Sequence, residues 1–178
     1  MVILNYGKVL TIGVLGILII LKPFITYCFA PEYYNAWECA GVLVVGILVH
    51  AIGGNLGILY TVFKNTGGAL KTSAVGAAAN FILNVIFVPL LGMNAAAWTT
   101  LMGYLCVLAI RWRDALRYVK LSFPKKDLFF IIFVLCIQLG LYFIGGFISF
   151  VAQCVIFIAY FYFNKNIVLQ VLSKRSKR

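Results

Sequence analysis

The chain has 178 residues, fifteen Lys and Arg against four Asp and Glu for a formal net charge of +11, and a hydrophobic fraction of 64% with a mean hydropathy of +1.05. A soluble domain of this length cannot hide that much apolar surface, so lipid has to cover most of it. The excess positive charge does not point to nucleic acid, because it sits at the ends of apolar segments without interleaved aromatics; it fits topology and anionic headgroups instead.

The first predicted span runs from about Val9 to Ala30 behind a single Lys8. Its apolar core has no small-residue cleavage site after it, so it reads as a retained helix. Lys22 lies inside it and is the most expensive intramembrane group, at roughly 2.5 to 3.5 kcal/mol for a central position. Two readings stay open for it: a side chain that snorkels to the outer interface, or one facing a hydrated cavity that receives an anionic headgroup. Pro31 to Asn35 form an outer loop without Lys or Arg, where Tyr33, Tyr34 and Trp37 make an interfacial belt.

The second span, about Ala36 to Phe63, opens with Glu38, which a helix N-terminus favours. It carries His50 at mid-span and then Gly53, Gly54 and Gly57 beside Asn55, a place for a kink or close crossing. Lys64 and Lys71 follow. In the third span, about Thr72 to Leu91, Thr72, Gly76, Asn80 and Asn84 recur every four positions as a stripe that lets a neighbouring backbone approach. A short uncharged turn at Gly92 to Asn94 leads to the fourth span, about Ala95 to Ile110. A basic stretch then runs from Arg111 to Asp127, with Trp112 and Tyr118 at the inner interface and Pro124 between helices.

The fifth and sixth spans, about Leu128 to Ile144 and Phe147 to Phe163, are apolar all round except for Gln138 and Gln153, and read as peripheral and lipid-facing. Short connections predict antiparallel hairpins. The pattern is an all-α polytopic protein: a six-helix transmembrane domain over 1–164 and a basic tail over 165–178. Every basic residue but Lys22 falls on one set of alternate connections, and the positive-inside rule puts both termini in the cytoplasm.

Any chemistry must come from the few intramembrane polar groups. His50 has an unperturbed pKa near 6.5 and could couple to protons, but a lone histidine among apolar neighbours reads first as a helix-packing group. Asn80 and Asn84 read as interhelical hydrogen bonders, or else as cavity lining. Catalysis needs a nucleophile with a base, or carboxylates or metal ligands within reach of one another. No such spacing occurs, and Asp114 and Asp127 sit among cations that would pair with them. The five cysteines are scattered singly, as buried reduced thiols are. The sequence therefore predicts no enzyme, metal site or cofactor.

The run Lys22-Pro23-Phe24-Ile25 into Pro31-Glu32-Tyr33-Tyr34-Asn35-Ala36-Trp37 resembles the helix end and outer loop of bacterial polysaccharide flippases, the Wzx-type members of the multidrug/oligosaccharidyl-lipid/polysaccharide exporter superfamily. The resemblance continues through Lys64-Asn65-Thr66, through Asn80-Phe81-Ile82-Leu83-Asn84, and through Pro89-Leu90-Leu91-Gly92-Met93-Asn94-Ala95-Ala96-Ala97-Trp98-Thr99-Thr100. It spans about Leu21 to Phe123, with Ala95 where the family usually has Gly. It implies the last six spans of a two-lobed, MATE-like flippase in the bacterial cytoplasmic membrane. A truncated or split product would then work with a separate N-terminal lobe to pass polyprenyl-linked oligosaccharide by alternating access. Lys22 is the implied substrate-binding candidate. A small-molecule exporter of the same superfamily and a non-transporting scaffold or remnant are the alternatives.

Overall fold

The computed structural model describes residues 2–118 and 125–175, with side chains described for 4–118 and 126–168. Residues 119–124, with Lys120 and Pro124, lie outside the described residues, as do 176–178 of the basic tail. Six α-helices follow one another: α1 (Val2–Cys28), α2 (Ala36–Val62), α3 (Thr66–Leu91), α4 (Met93–Tyr118), α5 (Lys125–Ile144) and α6 (Gly146–Arg175). A 3-10 turn at Pro31–Tyr33 precedes α2, and there is no strand among the described residues. Every one of these helices is long and apolar enough to cross a membrane, which makes this an all-α polytopic membrane protein.

Three helices run well past their hydropathy limits on the basic side. Helix α1 starts at Val2, α4 continues from Ile110 to Tyr118, and α6 continues past Phe163 to Arg175. Hydropathy marks where lipid ends, whereas a helix stops only where its backbone is capped or broken. At the α2–α3 corner the break is local: Lys64 takes φ 54°, and the Asn65 side chain caps α3 by accepting from the Gly68 N–H at 3.0 Å. At the α5–α6 turn, Gly145 and Gly146 have φ +67° and +87°, a region that costs other residues about 1–2 kcal/mol.

The helices form two compact units, Met1–Pro31 with Phe123–Arg178, and Glu32–Ser122. In the first, α1 packs against both α5 and α6, around Leu15, Ile131, Val134 and Tyr160. A Lys8–Asp127 ion pair at 3.1 Å ties α1 to α5. Phe129, Phe133, Phe147 and Ile148 remain on the outside, as lipid-facing residues should. Yet α5 and α6 are not peripheral all round: Gln138, Tyr142, Gln153 and Tyr160 are buried on their inner faces. A helix with a broad apolar face still turns its few polar groups away from hydrocarbon, where they would find no partner.

In the second unit the principal neighbour of α2 is α4 rather than its sequence neighbour α3. Cys39, Val42, Ala97 and Leu101 form the α2–α4 core. The α3–α4 hairpin closes on the small-residue stripe as the sequence predicts. A Cβ added at Gly76 would stand 3.3 Å from the Gly103 carbonyl oxygen, and one added at Gly103 would stand 3.2 Å from that of Gly76. Lipid tails are as apolar as leucine, so this close backbone packing, not hydrophobic burial, holds the pair together.

Candidate functional site

A cleft carrying polar side chains opens within each unit. In the first unit a cavity of about 440 Å³ is lined by Ile19, Lys22, Pro23 and Thr26 of α1, by Tyr142 of α5 and by Gln153 of α6. The Lys22 ammonium reaches the α5–α6 turn: a Cβ on Gly145 would lie 2.8 Å from its Nζ. Lys22 thus lines the cleft while its ammonium reaches the turn at the helix end, an arrangement compatible with both readings of it, snorkelling and cavity. Pro23 contributes a second feature, because it has no N–H to donate to the carbonyl four residues earlier. That carbonyl belongs to Ile19, which also lines the cleft.

The second unit builds its cleft around Arg111. The hydropathy limit places this residue in the basic loop, but α4 continues and turns it inward. Its Nε donates to Thr72 Oγ1 at 3.2 Å, one terminal nitrogen to the Gly53 carbonyl at 3.1 Å and the other to Ser73 Oγ at 2.9 Å. One guanidinium thus joins α4 to α2 and α3. Gly57 leaves it room, since a Cβ there would meet the guanidinium nitrogen at 2.8 Å. The spacing Gly103, Val107, Arg111 is the signal that could have found it: one residue per turn on the face that crosses α3.

A cavity of about 160 Å³ beside Arg111 is lined by His50, Ser73, Asn80 and Tyr104. His50 packs by its ring, with a centroid 4.6 Å from that of Tyr104. Asn84 donates to Asn80 within α3, and the Thr99 hydroxyl of α4 donates to Asn84 Oδ1 at 2.8 Å. Asn84 thus bonds across helices, while Asn80 lines the cavity. Asp114 accepts from Tyr60 of α2 at 2.6 Å and lies 3.9 Å from Arg117 of its own helix. At the other end of the same unit, Asn94 donates to Glu38 Oε2 at 2.7 Å and accepts from the Cys39 thiol at 2.8 Å.

These groups can hold anions and hydroxyls by hydrogen bonding. No set of three or more His, Cys, Asp or Glu side chains converges on a metal position among the described residues. No family model, curated protein or solved structure matches the chain. The fold and its clefts define a class, a six-helix polytopic membrane protein with polar side chains turned inward.

Proposed function

We propose that this chain is part of a flippase that moves lipid-linked oligosaccharide across the bacterial cytoplasmic membrane for surface polysaccharide assembly. It is a transporter component without enzymatic chemistry, its termini face the cytoplasm, and it works with a separate lobe. The observation that carries the reading is Lys22: a cation in an otherwise uncharged span lines a cleft with room for part of a ligand, and intramembrane cations mark substrate paths. The motif order from Lys22 to Thr100 supports the same reading.

Alternating access needs two bodies moving against each other. Expressed alone in a flippase-deficient bacterium, the chain should therefore not restore polysaccharide export; with the matching lobe, it should. In that pair Lys22→Ala is expected to cut export of an anionic lipid-linked substrate by about tenfold, the equivalent of one interaction of about 1.4 kcal/mol. Lys22→Arg should retain more, because charge is the property at stake. Export by the chain alone would refute the two-lobe reading, and full export with Lys22→Ala would remove Lys22 from the path.

A further inference from the structure

The cleft of the first unit holds more than a cation. Gln153 lines it and is only 6% exposed, yet its Oε1 accepts no hydrogen bond among the described residues. Gln138 is fully buried, with neither its Oε1 nor its Nε2 matched. Both lie about two helical turns from Gly145, one down each arm of the α5–α6 hairpin, and so at about the same depth. A buried amide without a hydrogen-bond partner is costly, and a ligand that reaches it would remove that cost. The terminal torsion of a glutamine is broad, so Oε1 can turn into the cleft.

We infer that this cleft binds a phosphodiester headgroup that carries free hydroxyls. Lys22 takes the phosphate charge at the hairpin end. Gln153 Oε1 and the Ile19 carbonyl, which Pro23 leaves without its helical donor, are acceptors and take hydroxyls. A purely anionic ligand would engage only the lysine, and a neutral polyol only the acceptors. The volume of about 440 Å³ lies within the range of roughly 300–1,000 Å³ usual for small-ligand pockets. Two sources present this chemistry in a membrane, a glycerophospholipid and a polyprenyl-linked saccharide. The inference deepens the flippase reading by naming what Lys22 recognises.

The test is lipid binding to the full chain in phosphatidylcholine nanodiscs, read by native mass spectrometry. Phosphatidylglycerol and phosphatidylmethanol carry the same charge, but only the first has hydroxyls. The wild type should prefer phosphatidylglycerol by about three- to eightfold, as one to two intramembrane hydrogen bonds of about 0.6 kcal/mol each allow. Gln153→Leu, which roughly keeps the volume and removes the unmatched Oε1, should cut that preference by about half or more, leaving what the Ile19 carbonyl alone supports. Lys22→Gln should weaken both, and Lys22→Arg should restore both. Equal binding of the two lipids to the wild type, or a preference that Gln153→Leu leaves undiminished, would overturn the inference. A polyprenyl-phosphate glucose probe assigns the source: tighter binding than phosphatidylglycerol supports the carrier lipid, and weaker binding supports the bulk lipid. Binding is read without transport, so a failed complementation leaves this result standing and the converse also holds.

Discussion

Replacing Gly76 with leucine is expected to cost more than any other single change in the second unit. A Cβ alone at this position would collide with Val107 Cγ2 and stand 3.3 Å from the Gly103 carbonyl oxygen. Val107 could turn aside; the α4 backbone cannot. Overpacking a close-packed site costs about 1–3 kcal/mol, and an isobutyl group wedged into a backbone crossing should exceed about 3 kcal/mol by the same reasoning. Gly54→Leu is the matched control, because nothing lies within 4 Å of its added Cβ. The measurement is the yield of monodisperse protein in mild detergent after a heating series. Gly76→Leu should be lost at temperatures that the Gly54→Leu protein survives, and equal survival would mean that α3 and α4 do not cross closely at Gly76.

The second large effect is expected at Arg111. Its three hydrogen bonds reach α2 at Gly53 and α3 at Thr72 and Ser73, so one side chain fastens three helices. Intramembrane hydrogen bonds average about 0.6 kcal/mol each in double-mutant cycles. Losing three should cost about 2 kcal/mol, with more if the acceptors find no new donors. Lysine keeps the charge but lacks the rigid fork of donors, so Arg111→Lys should recover less than half of that loss. Reversible unfolding in mixed micelles of increasing SDS fraction reads the difference. If Arg111→Ala and Arg111→Lys both unfold with the wild type, the guanidinium is not a fastener and its inward position carries no stability.

The spans were legible because hydropathy over some twenty residues measures what lipid demands. The α3 stripe was legible too, since small residues at Gly76 and polar ones at Asn80 and Asn84 repeat with the helical period. Arg111 was not, because a charged residue at the edge of an apolar run reads as the start of a loop. Only its register with Gly103, set against Gly53 and Gly57 on α2, shows that it turns inward. The burial of Gln138 and Gln153 escaped for another reason. Their helices look uniformly apolar, and the grouping of α1 with α5 and α6 joins segments far apart in the sequence. No periodicity within one helix reports such a partner, because the information lies in how three surfaces fit.

Six membrane crossings underlie every functional statement made for this chain, and cysteine accessibility in intact cells tests them most directly. With the five native cysteines replaced by alanine, single cysteines go in at Met93 and Phe147, both exposed beside uncharged turns. Phe147 is chosen over its neighbour because Gly146 has φ +87°. Two more go in at Ser122 and Ser176, within the basic segments. A membrane-impermeant maleimide should label positions 93 and 147 from outside and leave 122 and 176 protected until the cells are opened. External labelling at Ser122, or protection at both Met93 and Phe147, would contradict the six-span arrangement and the orientation proposed for the Lys22 cleft.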